Sequence, residues 1–454
     1  MKVYIDTLGC AKNEYDSQML AASLLERGCE LNDVPDGADI IIVNTCGFIE
    51  AAKRESINRI LELADAAGKT EDGEPGNVKL VVTGCLAEKY HDDLSKELPE
   101  VDMFFGVNDY DNLPDILMGA AVSPENAADI KSRGGADRVG SGLDDLRYRK
   151  RVLPEGAHYG YLKIAEGCDN ACSFCAIPSI RGPFRSKRIE DCIREARDMA
   201  DAGIRELILI AQDTSQYGRD LYGEVRLPQL LHELCKIDGI EWIRLLYVYD
   251  NGITDELVET IKTEPKICKY IDMPIQHISD NVLKSMRRAS RSSSVKSTIN
   301  MLRHEIPDVH IRTTILVGFP GETDEDVREL LDFIDEYKID RLGAFAYSDE
   351  DGTSAYDMDN KNDTETCESR RNEVMEHQRI VSNELNEASI GRVFEVIVDE
   401  IIEDKIYTGR TRYDAPEIDC EVTFEGPTGM LPGDIVNVRI DNAYEYDLEG
   451  VVVQ

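Results

Sequence analysis

The segment Glu166-Gly-Cys168-Asp-Asn-Ala-Cys172-Ser-Phe-Cys175 places three cysteines at Cys-x3-Cys-x2-Cys spacing, directly after the apolar run Tyr159–Ala165. Three thiolates on one loop can hold three irons of a four-iron cluster and leave the fourth iron without a protein ligand. An iron with an open corner can bind and reduce a small molecule, which points to chemistry more than to electron storage. Zinc sites more often pair one Cys-x2-Cys element with a second, and here there is one triplet. Cys192 lies further on in the helical run Ile189-Glu-Asp-Cys-Ile-Arg and reads as a buried helix cysteine. Cys29, Cys235, Cys268, Cys367 and Cys420 have no patterned partners and read as structural.

Three more cysteines share a different regularity. Cys10 in Thr-Leu-Gly-Cys, Cys46 in Asn-Thr-Cys-Gly and Cys85 in Thr-Gly-Cys-Leu each follow an apolar run with strand character. In a parallel sheet the strand C-termini share one edge, where ligands normally bind, so thiols far apart in sequence would gather there. A glycine beside each (Gly9, Gly47, Gly84) would let the backbone pass close to a bulky ligand.

The elements that must position these residues fall into three groups. Lys2–Asp6, Asp39–Val43 and Val78–Thr83 are predicted strands, with helices over Tyr15–Arg27, 48–66 and Ala87–Leu98. This alternation predicts an N-terminal α/β parallel-sheet domain over residues 1–120. Residues 121–153, rich in Gly, Ser and Ala, read as a linker. From 154 to 385, strands at Tyr159–Ala165, Arg205–Ala211, Trp242–Tyr247, Tyr270–Pro274, Ile311–Val317 and Ile339–Tyr347 alternate with helices such as Ile189–Ala202 and Asp324–Tyr337. Six βα units predict a partial (β/α)6 barrel whose site lies on the strand C-terminal rim. Residues 386–454 change to short β runs (Val393–Val398, Ile406–Gly409, Asp419–Phe424, Asp434–Ile440) separated by turns such as Leu431-Pro-Gly-Asp434, and predict a small β-barrel.

The chain has 454 residues, 42% of them hydrophobic, and a formal net charge of −38. Such acidity repels nucleic acid and anionic membrane surfaces and suits a basic partner. No apolar run approaches membrane-spanning length, and no signal peptide is read at Met1-Lys-Val-Tyr-Ile-Asp. Twelve cysteines are too few for a disulfide scaffold in a chain of this length; clustered cysteines in a reducing cytosol bind metal or react. A cytoplasmic location is the expectation, without a membrane partner.

Cys-x3-Cys-x-aromatic-Cys after a first strand, followed by six βα units, resembles the radical S-adenosylmethionine (SAM) superfamily. The resemblance implies that Cys168, Cys172 and Cys175 hold a 4Fe-4S cluster whose open iron chelates SAM, and that Phe174 packs near the adenine. It also implies that the rim loops carrying Gln212, Gln276, Gly318 and Phe319 grip methionine, ribose and adenine. The three-domain order, with a terminal module similar to the TRAM domain, resembles the methylthiotransferases across nearly the whole chain. In that family Cys10, Cys46 and Cys85 would hold a second 4Fe-4S cluster, and SAM would be both radical source and methyl donor. An electron donor such as flavodoxin and a sulfur source are the further partners implied. No catalytic residue beyond the cluster ligands is assigned.

Two substrate classes compete, a tRNA adenosine and a protein side chain; a non-catalytic iron–sulfur carrier is a third reading, opposed by two triplets where a carrier normally has four ligands per cluster. Residues 386–454 hold five basic and sixteen acidic residues. That is the wrong sign for an RNA-binding module, since RNA affinity rests largely on phosphate neutralisation. Thr7-Leu-Gly-Cys10-Ala-Lys-Asn13, Asp272-Met-Pro-Ile-Gln276-His277-Ile-Ser and Tyr413-Asp-Ala-Pro-Glu-Ile-Asp419 are similar to the branch that modifies an aspartate β-carbon in protein twelve of the small ribosomal subunit. One departure, Ala11 where that branch often has proline, lies beside a ligand position. The basic partner expected is that ribosomal protein, free or on the ribosome. The basic stretch Arg181–Arg188 is expected to meet substrate carboxylate or SAM, and Arg147–Arg151 to be a solvated charge run.

Overall fold

The computed structural model describes residues 1–47, 49–69, 78–110, 112–119 and 146–453. Most of the expected linker, residues 121–145, lies outside these. The chain forms two compact units: Met1–Leu153 with Glu166–Asn170 and Cys175–Lys187, and Pro154–Ala165 with Ala171–Phe174 and Arg188–Gln454.

The first unit is built on β1 (Lys2–Thr7), β2 (Glu30–Asn32), β3 (Ile40–Thr45), β4 (Lys79–Gly84) and β5 (Met103–Phe104) in the order β2-β1-β3-β4-β5, all parallel. Every residue of β3 is buried, as a central strand covered on both faces requires. Side chains alternate between the faces. Ile41, Val43, Leu80 and Val82 pack with Ile60 and Leu63 of helix Glu50–Ala66 and Leu86 and Leu94 of helix Cys85–Glu97. Ile40, Ile42 and Val81 pack on the other face with Leu20 and Leu24 of helix Ala11–Glu26 and with Leu113 and Leu117. The three predicted strands stand, and the short outer strands β2 and β5 are additions that the apolar pattern did not signal.

Past the two-residue strands β7 (Ala165–Glu166) and β8 (Arg185–Ser186), the second unit's sheet runs from β6 (Tyr159–Lys163) through β9 (Glu206–Ile210), β10 (Trp242–Leu245), β11 (Ile267–Asp272) and β12 (His310–Val317) to β13 (Arg341–Ala346). All five ladders are parallel and join sequence neighbours, so the sheet is an open six-stranded arc, the expected partial barrel. Helix Asp324–Tyr337 starts and ends where predicted; Thr323 and Asp326 form a capping box at its start, and such reciprocal capping marks a helix start in the sequence itself.

The same unit ends in a closed barrel of β14 (Val393–Glu403), β15 (Ile406–Thr411), β16 (Val422–Glu425), β18 (Leu448–Val452) and β17 (Ile435–Ala443). Its interior holds Val396, Val398, Tyr407, Phe424, Val438 and Ile440. Helix Thr364–Glu387 precedes it and was not anticipated as an element. It buries polar groups, with Gln378 donating to the Ile339 carbonyl (2.9 Å) and Asn386 to the Tyr444 carbonyl (3.0 Å). Polar residues on its inner face blur the apolar periodicity by which helices are read.

Between core and barrel lies a lattice of buried ion pairs. Glu206 accepts from Arg244 (2.6 Å) and Arg410 (2.8 Å), and Arg410 also grips Asp399. Arg312 pairs with Asp272 (2.9 Å) and Asp419 (3.3 Å), and Tyr270 donates to Asp419 at 2.6 Å. Arg341 pairs with Asp414 (2.8 Å). Asp414 and Asp419 belong to the Tyr413–Asp419 motif, so within this fold those carboxylates fasten the barrel to the core strands. A cavity of about 290 Å³ lined by Arg312, Arg341, Asp419, Cys420 and Tyr446 sits in this seam.

Candidate iron–sulfur and cofactor site

β1, β3 and β4 are adjacent and parallel, so Cys10, Cys46 and Cys85 leave one sheet edge on neighbouring strands about 4.8 Å apart. The glycines show how closely their loops approach. A Cβ on Gly9 would lie 2.6 Å from the Cys46 Cβ, one on Gly47 2.8 Å from the Leu86 Cα, and one on Gly84 2.3 Å from the Thr45 carbonyl oxygen. Gly9 and Gly84 also have positive φ, +97° and +101°. These glycines therefore let the three cysteine loops approach one another.

Cys46 and Cys85 are buried and Cys10 is exposed, so the trio has a dry side and an open side. Burial pushes the Cys85 thiol up to about 11, opposed by Arg181 and reinforced by neighbouring Cys10 and Cys46. Asn13, three residues past Cys10, donates to the carbonyls of Leu8 (2.8 Å) and Thr45 (3.0 Å), tying the first loop to the second. Arg181 is 2% exposed and donates to Cys85 Sγ (3.2 Å), Asn13 Oδ1 (2.8 Å), Asp16 (2.7 Å) and Glu166 (3.1 Å). Arg181 is thus committed to the thiol loops, a role different from the expected contact with substrate or SAM. Lys187 is likewise buried, on the Tyr15 hydroxyl (2.9 Å). Arg151 stacks over the Tyr15 ring and donates to Gln18, so it is no solvated charge.

The donor set fits an iron–sulfur cluster. Thiolates that burial disfavours need a cation, and three sulfurs on converging loops supply soft ligands for iron. Among the described residues no three His, Cys, Asp or Glu side chains converge as around a single metal ion.

The second cysteine run is held piecewise. In the first unit, the Cys168 amide bonds the Gly182 carbonyl (3.1 Å) and the Asn170 amide donates to Cys168 Sγ (3.4 Å). Gly167 has φ +81° and a Cβ there would meet the Pro183 carbonyl at 2.1 Å. In the second unit, Ser173 is pinned through the Met286 carbonyl and the Ala355 amide, and Arg288 lies 3.8 Å from Cys172 Sγ while stacking on Tyr249. Sequence reading passed over Arg288, which lies far from the cysteines in the chain.

The second unit also gathers some of the expected SAM residues. Phe174 meets Phe319 edge to face (6.4 Å), and Phe319 meets Tyr347 likewise (5.4 Å). Gln276 has φ +71° and bridges to β12 through its backbone, its amide on Thr314 and its carbonyl on Leu316. Gln212 follows β9 half-buried. Gly318 departs from expectation: a Cβ there would strike Cys367 Sγ at 2.3 Å, so its glycine serves packing against helix Thr364–Glu387 more directly than a flat ring. Beneath these loops His277, pushed down to about 4 by burial, lies 3.5 Å from Glu322. Burial raises Glu322 to about 6 against the amide of Gly318 and the guanidinium of Arg370.

Comparison with known proteins agrees with this geometry. Residues 2–106 match the uncharacterized protein family UPF0004, residues 162–334 the radical SAM superfamily and residues 390–453 the TRAM domain. Fold and site define a radical SAM enzyme with a TRAM domain. Among solved structures, the radical SAM methyltransferase TsrM from Kitasatospora setae, with cobalamin and a [4Fe-4S] cluster bound, has the same fold, with a TM-score of 0.58 at 14% identity over 78% of this chain and 77% of that one. A ribosomal protein uS12 methylthiotransferase RimO of Clostridioides difficile is 45% identical, over 100% of this chain and 99% of its own length. One from Acetivibrio thermocellus is 44% identical over 100% and 98%. The chain belongs to the family of ribosomal protein uS12 methylthiotransferases, RimO.

Proposed function

We propose that this chain attaches a methylthio group to the β-carbon of an aspartate in ribosomal protein uS12, the protein for which its relatives are named. The observation that carries this reading is the convergence of the Cys10, Cys46 and Cys85 loops in a chain that also has the Cys168/Cys172/Cys175 run. Radical SAM chemistry by itself needs one such triplet; a second set of soft donors suits a site that handles sulfur.

In this reading Cys168, Cys172 and Cys175 hold one 4Fe-4S cluster and Cys10, Cys46 and Cys85 another, each three thiolates with one iron left to an outside ligand. When bound, the clusters and SAM supply the electron, the 5′-deoxyadenosyl radical, the sulfur and the methyl group. The chain's own residues bind and orient. Phe174 and Phe319 form a dry wall for the adenine, while Gln212, Gln276 and the Gly318 backbone offer polar contacts to the ribose and methionine. Arg288 lies 3.8 Å from the Cys172 sulfur and stacks on Tyr249.

The domain reading is 1–120 for the N-terminal methylthiotransferase part, 154–385 for the radical SAM core and 386–454 for the barrel. Two of the five basic residues of the barrel turn away from solvent-facing roles, Arg410 onto buried Glu206 and Arg412 onto the Pro265 carbonyl and Glu395. That leaves Arg392, Lys405 and Arg439 exposed against sixteen acidic residues, a balance that would steer a basic ribosomal protein and repel tRNA. An electron donor such as flavodoxin and an outside sulfur source complete the cycle, in the cytoplasm. Among the described residues no helix is long and apolar enough to cross a membrane.

The test is mass spectrometry of uS12 and of bulk tRNA from cells with and without this chain. Loss of a methylthio group from uS12 supports the proposal; loss from tRNA alone overturns it. Iron and sulfide counting on anaerobically reconstituted protein decides between one cluster and two.

A further inference from the structure

Arg181 connects four segments of the first unit through one guanidinium. Its acceptors are a thiol of the strand-end trio (Cys85), the side chain that ties the Cys10 loop to the Cys46 loop (Asn13), a carboxylate of helix Ala11–Glu26 (Asp16), and Glu166, two residues before Cys168. Asp16 is 1% exposed and Glu166 6%. The cation and all four of its acceptors are buried. As a guanidinium it is a fixed cation at this position. The short helix Ile177–Arg181 that delivers it packs Ala176 and Ile180 against Cys85.

We infer that Arg181 is a positioning residue for the strand-end cysteine trio: it fixes the Cys85 sulfur by a charge-assisted hydrogen bond and, with Asp16 as its counter-charge, sets the electrostatic potential at whatever cluster the trio holds. This deepens the two-cluster reading and rests on it. A hydrogen bond to a ligand sulfur and a fixed cation nearby both favour the more negative, reduced form of a cluster. In a dry environment a single charge at contact distance acts strongly. The lever is therefore signed. Removing the cation makes reduction harder, and removing its buried anionic partner makes reduction easier.

The experiment uses the full-length chain with Cys168, Cys172 and Cys175 changed to Ala, reconstituted anaerobically, so that only the strand-end trio can carry a cluster. Iron and sulfide are counted first; a chain in this form that binds neither sinks the two-cluster reading and this inference with it. The midpoint potential is then measured by redox titration followed by electron paramagnetic resonance. Arg181→Met is expected to lower the midpoint and to shed iron faster to a chelator. Arg181→Lys, which keeps the charge and loses the fork, is expected to recover most of the potential. Asp16→Asn is expected to raise the midpoint. A purely structural clamp would move both classes of variant the same way, toward cluster loss. A bound cluster whose midpoint stays unmoved, or falls, in Asp16→Asn overturns the inference even where Arg181→Met fails to fold.

Discussion

The strand-end cysteine site and the core–barrel seam are both buried and both polar, yet they are built from different partners. In the seam each carboxylate meets a cation: Glu206 has Arg244 and Arg410, Asp414 has Arg341, and Asp419 shares Arg312 with Asp272. At the cysteine site one guanidinium, Arg181, faces the Cys85 sulfur and two carboxylates, with the Cys10 and Cys46 thiols close by. The seam joins carboxylates to guanidiniums, whereas the cysteine site gathers soft sulfur donors around one guanidinium.

The largest effects should separate the two regions by kind. Cys168→Ala should abolish SAM cleavage, read as 5′-deoxyadenosine. Cys46→Ala should retain SAM cleavage and lose the methylthio product, read by mass spectrometry of uS12, with thermal stability of the metal-free chain nearly unchanged. If Cys46→Ala unfolded the metal-free chain, the contrast between a site that gathers sulfur donors and a seam that holds the fold would collapse. Next, Glu206→Ala strips the partner from two buried arginines and should cost about 3–5 kcal/mol, read by denaturant unfolding. The exposed pair Arg439–Asp441 serves as control, and its removal should leave the unfolding midpoint nearly unchanged.

A smaller effect is expected at Gly84. Alanine there combines a positive φ with a Cβ 2.3 Å from the Thr45 carbonyl and should cost about 1–3 kcal/mol, with weaker iron retention. Gly321 has a positive φ with open space around it, so its alanine variant should cost about 1 kcal/mol and spare the iron. An effect of similar size is pH dependence through Glu322. Burial raises its folded-state value from 4.5 to about 6. Its protonated form therefore favours the folded state, and that contribution is present below pH 4.5 and fades as pH rises through about 6. Glu322→Gln should remove this decline, worth about 1–2 kcal/mol, in thermal melts across that window. The seam slopes the other way. Burial opposes ionisation of Glu206, but Arg244 and Arg410 overcome it and hold the carboxyl below its ordinary 4.5. Its contribution is present above that value and is lost on acidification.

Much of the architecture was legible because it is written in local periodicity. The six core strands, helix Asp324–Tyr337 and four of the five barrel strands follow from runs of apolar residues and the turns between them. Helix Ala11–Glu26 was read as starting four residues late, at Tyr15, because Lys12 and Asn13 in its first turn are polar yet buried. Asn13 accepts from Arg181 beside Cys85. The last barrel strand, Leu448–Val452, is short and interrupted by glycine, and its parallel pairing with β16 is a closure that no local signal carries.

Residue type and spacing alone established two cysteine triplets, the family they resemble and the strong acidity of the chain, because sulfur ligation and net charge are properties of composition and order. Only the tertiary structure decided that Gly9, Gly47 and Gly84 serve loop-to-loop contact, that Gly318 yields to Cys367, and that Arg181 belongs to the thiols. Each of those outcomes depends on which distant segment fills a given few ångströms, and that is fixed by the packing of whole sheets and helices.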